Sequence, residues 1–290
     1  MSNKQKALLL MTLSTLSFSI MQIFVKLSSG AFPTMEQVFM RNFVTLFFGA
    51  FMALRSHEPL LGKKENRVAL LGRAVLGFIG VVGYFYATTH MNVADASLLH
   101  RSSPFFVIIF SAIFLKNRLK RVQVVALLLA FAGSILVINP SFDADISAAL
   151  VGVLSAAGAG GAYVIINYLK GKESNATIIF FFSAVSCLFS ALMGFSQFIM
   201  PHGVQWLLLA GIGLFAALGQ IFLTQAYKMS EPGEVSIMNY LGIVFSAILG
   251  FCFLNEQVGL RSLAGMACIF TAALLLYFIK NSKPVGRSRI

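Results

Sequence analysis

Four basic residues stand in stretches where nearly every neighbour is apolar: Lys26, Arg41, Arg73 and Arg101. An arginine at the middle of a hydrocarbon layer costs roughly 2.5 to 3.5 kcal/mol on insertion scales, so each needs a reason. Arg101 is the best placed for chemistry. It follows His100 and precedes Ser102, Ser103 and Pro104. A proline has no N–H, frees a carbonyl and bends a helix, so exposed backbone polar groups are expected beside this guanidinium, in a cavity. The plainer alternatives are that Arg101 reaches the outer headgroups or pairs with Asp95. Arg41 and Arg73 lie nearer the ends of their runs, where snorkelling or a structural ion pair competes evenly with a binding role. Lys26 reads as an interfacial anchor. No acidic residue stands deep in an apolar run: Glu36, Asp95 and Glu256 fall near one set of ends, Glu231 and Glu234 near the other. A cavity lined by these bases is positive and suits a small anionic or zwitterionic solute.

Helical spacing gathers uncharged polar residues beside them. Thr15, Ser19, Gln22 and Lys26 share one face of a helix, and Arg73, Gly77, Gly80, Tyr84 and Thr88 share another. Tyr163 and Asn167 fall on one face, as do Gln220, Thr224 and Tyr227. Such stripes also hold helices together, at about 0.6 kcal/mol per hydrogen bond on average. That accounts for many Ser and Thr, but less well for bulky polar groups. The candidate binding set is Arg101, His100, Asn239 and Tyr240 for a polar or anionic end, with Tyr84, Tyr163 and Gln220 for the body. Asn167, Arg41, Arg73 and Gln22 complete the set. Any proton coupling would fall to His100, the available group that titrates in the neutral range.

The elements that carry these residues follow from composition. Of 290 residues 58% are hydrophobic and 11% charged, with mean hydropathy +0.84, 29 Phe and 24 Gly. An ordinary soluble domain is about 25% charged, so a water-soluble globule is excluded. A span of about 30 Å takes about 20 apolar residues. Ten spans then occupy the chain, predicted at 6–29, 35–54, 67–89, 96–115, 120–138, 147–169, 175–198, 204–227, 234–254 and 258–280. The fold class is all-α integral membrane. The first run, 7–27, lacks a cleavage site and reads as a retained helix. With the N-terminus on one side, seventeen of the 22 Lys and Arg fall in segments on that side, including Lys116, Arg118, Lys120, Arg121, Lys280, Lys283, Arg287 and Arg289, and only Arg261 falls in an opposite loop. By the positive-inside rule both termini are expected in the cytoplasm of a bacterial-type plasma membrane. The net charge of +12 therefore marks orientation and anionic-lipid contact, not nucleic-acid binding.

At an offset of 139 residues, 87–117 lies over 226–256, matching Ser97 with Ser236, Phe106 with Phe245, His100 with Asn239 and Arg101 with Tyr240. Five spans separate the copies, so halves 1–140 and 141–290 are expected to be inverted relative to each other, with a site near the midplane where they meet. Ala94-Asp95-Ala96-Ser97-Leu98-Leu99, then Ser103-Pro104-Phe105-Phe106, then Phe114-Leu115 before a basic loop resembles the fourth helix of the EamA family of the drug/metabolite transporter superfamily. Phe253-Leu254-Asn255-Glu256 is similar to the family's close of the second repeat, and Arg41 within Phe39–Phe43 and the Arg73 region also match. Asn117 departs from the pattern, standing where the family usually has Glu, which leaves that carboxylate to Glu256. The pattern looks most like the branch with organic-anion and S-adenosylmethionine carriers.

The resemblance implies a secondary transporter moving a small organic metabolite by alternating access. Export of amino acids or lipophilic drugs is the alternative within that class, and an anion-selective channel the alternative outside it. No phosphate-binding loop, His-Glu-x-x-His or Cys-x-x-Cys appears, so no enzyme, cofactor or metal is expected. Cys187, Cys252 and Cys268 read as packing residues. The expected partners are a small-molecule substrate and lipids, in a monomer or homodimer. Gly158, Gly160, Gly161, Gly211, Gly213 and Gly219 are expected to allow close helix approach, and Phe180, Phe181 and Phe182 to face lipid.

Overall fold

The computed structural model describes residues 1–28, 30–91, 93–117, 120–140, 146–254 and 259–278. Glu256, Arg118, Lys280, Lys283, Arg287 and Arg289 lie outside the described residues. The elements are α1 (Asn3–Ser28), α2 (Thr34–Arg55), α3 (Arg67–His90), α4 (Val93–His100), α5 (Ser103–Phe114), α6 (Arg121–Ile138), α7 (Ile146–Tyr168), α8 (Asn175–Gly194), α9 (Gln205–Met229), α10 (Pro232–Ile237), α11 (Leu241–Leu254) and α12 (Leu260–Phe278). Together they form ten segments long and apolar enough to cross a membrane. Boundaries fall close to those predicted, with one systematic exception: spans four and nine are each broken in two.

The breaks have different causes. In span four, α4 stops at His100, Arg101 and Ser102 turn, and Pro104 starts α5 at a position where its missing N–H costs nothing. In span nine no proline stands at the break, since Pro232 lies at the start of α10. Met238–Tyr240 instead tightens into a 3-10 turn between α10 and α11. The repeat offset places the two breaks opposite each other in sequence, which brings irregular backbone from both halves to the middle of the bundle.

Helix pairings come in matched sets. α1 lies along α9 and α7 along α3, α2 faces α8, α6 faces α12, and span four packs on α7 as span nine packs on α1. Advancing every partner by five spans reproduces the set, as a two-fold relation between oppositely directed halves requires. Hydrogen bonds repeat the relation. Ser155 on α7 donates to the Gly80 carbonyl on α3 (2.6 Å), and Ser14 on α1 donates to the Gly219 carbonyl on α9 (2.7 Å). Gly80 and Gly219 are the same position under the 139-residue offset. At the α6–α12 crossing, a Cβ on Gly133 would stand 2.6 Å from the Gly265 carbonyl, so only glycine fits. The outside of the bundle is apolar, with Phe47, Phe51, Ile113 and Leu192 more than half exposed, as a lipid solvent demands.

The end of the bundle that carries the N-terminus is closed by charge. Lys4 Nζ lies 3.3 Å and Lys120 Nζ 3.0 Å from Glu234 Oε1, and Lys120 reaches Glu231 Oε2 at 3.4 Å. The lysines come from the first half and the glutamates from the second. Glu234 is 2% exposed. Burial would lower the pKa of Lys120, but the two carboxylates outweigh it and hold the ammonium above its ordinary value. Alongside, Glu173 Oε1 accepts from the Lys63 amide and the Asn66 side chain at 2.9 and 2.7 Å, joining the α2–α3 and α7–α8 connections.

Candidate substrate-binding cavity

Between the halves lies a cavity of about 500 Å³. It reaches the end of the bundle opposite the N-terminus, where Val25 near the end of α1, Gln37 near the start of α2, Val137 and Ile138 at the end of α6 and Ser262 near the start of α12 line it. In the other direction it stops at Arg73, Tyr163, Phe182 and Leu223, each five or more residues inside its helix. The cavity therefore opens on one side only, above the lysine–glutamate latch.

Arg41, Arg73, Arg101, His100, Tyr84, Tyr163, Gln220, Asn239, Tyr240 and Gln22 all line it. Asn167 does not, despite sharing a helix face with Tyr163. Its amide donates to the carbonyls of Tyr227 (2.6 Å) and Ser230 (2.9 Å), covering orphan carbonyls at the C-terminal end of α9. Phe182 corrects a second expectation: it is 4% exposed and lies under the Arg73 guanidinium, 4.1 Å from its ring centre, a cation–π contact that takes it out of lipid. Lys26 is exposed near the end of α1. Glu36 is 3% exposed and accepts from the Ile199 amide at 2.9 Å.

The three arginines differ in what the protein gives them. Arg101 Nη1 donates to the backbone carbonyl of Asn239 at 3.0 Å, so the guanidinium from the break in span four satisfies the break in span nine. Arg41 lies 5.6 Å from the Phe18 ring centre. Arg73 is 2% exposed, and its Nε and Nη1 have no hydrogen-bond partner. Tyr163 is close enough to all three arginines to interact electrostatically with each, and its ring stacks on Tyr227 at 4.8 Å. Among the described residues, no Asp or Glu lines the cavity.

Polar order continues around the arginines. His100 Nδ1 and Ser155 Oγ are 2.9 Å apart, and the single Ser155 proton already goes to the Gly80 carbonyl, so the imidazole donates from Nδ1 and leaves Nε2 open. The His100 ring packs on Tyr84 at 4.8 Å, and Tyr84 Oη shares a hydrogen bond of 3.1 Å with Ser97 Oγ. Asn239 Nδ2 donates to Tyr227 Oη at 3.3 Å, while the Tyr240 hydroxyl is buried without a partner. Sequence reasoning missed Phe182, Glu173 and the latch. Phe182 could have been found from its place on one face of α8 level with Arg73, whereas the latch joins groups more than a hundred residues apart and leaves no local signal.

Ten apolar helical spans around a one-sided polar cavity, with broken helices meeting at its centre, define a multi-pass membrane transporter. The chain belongs to the EamA-like transporter family, whose model matches residues 5–139 and again 146–278. It is 36% identical to the pseudopaline exporter CntI of Pseudomonas aeruginosa, over 94% of this chain and 96% of that protein. It is 28% identical to human solute carrier family 35 member G1, over 89% of this chain and 74% of that one. A solved crystal structure with TM-score 0.79 and 19% identity, covering 93% of this chain and 95% of its own, has the same fold. The exporter and the solute carrier are transporters, and an enzymatic role is not indicated.

Proposed function

We propose that the chain is a secondary carrier that exports a small organic solute bearing negative charge, anionic or zwitterionic, by alternating access through this cavity. The observation that carries the reading is the lining: three guanidinium groups and no carboxylate among the described lining residues. Family membership alone fixes no cargo. A volume of about 500 Å³ suits a metabolite, since small-molecule sites run from roughly 300 to 1,000 Å³. Arg101 with His100, Asn239 and Tyr240 would hold the charged end, with Tyr84, Tyr163 and Gln220 around the body. Export as the direction rests on the similarity to the pseudopaline exporter.

The excess of Lys and Arg at the N-terminal end supports cytoplasmic termini, which makes the described state outward-facing. The halves 1–140 and 141–290 would then rock about the cavity, and release of Glu234 from Lys4 and Lys120 would admit solute from the cytoplasm. The test is uptake by the purified protein in proteoliposomes against organic acids, amino acids, nucleoside derivatives and lipophilic cations. Saturable transport of an anion or zwitterion, lost in a folded Arg101→Ala variant, is expected. Ohmic, unsaturable current would make the protein a channel, and cation transport indifferent to Arg101→Ala would overturn the cargo assignment.

A further inference from the structure

Among the described residues, two on the cavity wall leave buried polar atoms without a hydrogen-bond partner: Arg73, at Nε and Nη1, and Tyr240, at Oη. One belongs to each half of the chain. Other polar groups of the wall are served by the protein itself, as with Arg101 on the Asn239 carbonyl and His100 on Ser155. An unpaired buried donor costs about 1 to 3 kcal/mol, more when it is charged, and here the two sites coincide with a surplus of positive charge. A solute with one carboxylate could serve only one of the sites and would leave most of the charge of Arg41, Arg73 and Arg101 unmet.

Building on the carrier reading, we infer that the cavity selects solutes with at least two carboxylates, one received by the unused N–H donors of Arg73 above Phe182 and another by the Tyr240 hydroxyl beside Arg101. Tyr163, on the cavity wall and within electrostatic reach of Arg73, Arg41 and Arg101, packs against the solute's body. Arg101 interacts electrostatically with Tyr240, so the second carboxylate meets a neutral donor and a cation together, a pairing stronger than either alone. The cargo is thereby a di- or tricarboxylic organic acid, or an amino-acid derivative carrying more than one carboxylate.

The test is thermal stability of the purified full chain with butyrate, glutarate or tricarballylate as probes, at matched ionic strength because multivalent ions screen differently. A ligand at free concentration L that binds the folded state stabilises it by RT ln(1 + L/Kd) and so raises its melting temperature as L passes Kd. Glutarate and tricarballylate are expected to raise it and butyrate to leave it unchanged. Arg73→Gln and Tyr240→Phe are each expected to weaken the tricarballylate effect by about tenfold to a hundredfold in apparent affinity. Tyr240→Phe removes one oxygen and keeps the ring, so it reports even if Arg73→Gln folds poorly. Butyrate acting as strongly as tricarballylate, or both variants binding tricarballylate like the wild type, would overturn the inference. Saturable transport of monoanions regardless of carboxylate number would overturn it while leaving the carrier intact. Failure to bind or move any anion would remove the carrier reading as well.

Discussion

Arg73 and Arg101 show how the same side chain serves two ends. Arg101 is anchored: its donor meets the carbonyl freed at Asn239, so it holds two broken spans in register as well as facing the cavity. Arg73, at 2% exposure, has the Phe182 ring below it but no hydrogen-bond partner for Nε and Nη1, a local cost that a ligand would offset. Replacing an uncompensated buried charge is often stabilising. Arg73→Gln is therefore expected to raise the stability of the ligand-free protein by on the order of 1 kcal/mol, seen as a higher melting temperature, while weakening anion binding. A lower ligand-free melting temperature would mean that the guanidinium has a structural partner. Sequence singled out Arg101 because Pro104 announced irregular backbone beside it. It ranked Arg73 lower because distance from a helix end says nothing of which face meets the cavity. Asn167 misled for the same reason, since its helix face also meets the end of α9.

Broken helices are the elements that make the site. Proline marked the break in span four in advance. Nothing in Ser236–Leu241 marked the one in span nine, because no residue there forbids a helix and the 3-10 tightening at Met238–Tyr240 leaves no local signature. Where α6 crosses α12 the backbones touch at Gly133 and Gly265. Gly133→Ala is expected to cost about 1 to 3 kcal/mol by overpacking, measured as a lowered melting temperature, with little change in anion affinity. The latch joins α1, the start of α6 and α10. Glu234→Gln removes the charge that both lysines share and is expected to favour the state open at the N-terminal end. In a chain whose native cysteines are replaced, a Leu223→Cys thiol on the cavity floor would then react faster with a membrane-impermeant maleimide supplied from that side; an unchanged rate would rule the latch out as a gate. Because the carboxylates raise the Lys120 pKa, the lysine's contribution is complete at neutral pH and is lost only as pH rises through that elevated value. Closure, read as the labelling rate relative to that of the same thiol in the Glu234→Gln chain at each pH because the thiolate is the reacting form, is expected to be level from about pH 7 to 9, well below the ordinary lysine range, and to fail in stronger alkali.

The whole molecule was the part most readable in advance. Apolar runs gave ten spans because lipid tolerates little else, and the offset of 139 residues foretold paired contacts such as Ser14 to Gly219 and Ser155 to Gly80. The cavity was not readable to that degree, since its walls come from all ten spans and its depth depends on which end is latched. A basic, one-sided cleft shared by two related halves works as a carrier only if the loaded site reorients from one side to the other, and such a site also lets one bound solute exchange for another. Counterflow measures that exchange. Proteoliposomes loaded with unlabelled tricarboxylate are expected to accumulate labelled tricarboxylate transiently above equilibrium, with wild-type protein but with neither Arg101→Ala nor Arg73→Gln. Linear equilibration with no overshoot, or an overshoot that both variants retain, would contradict the account.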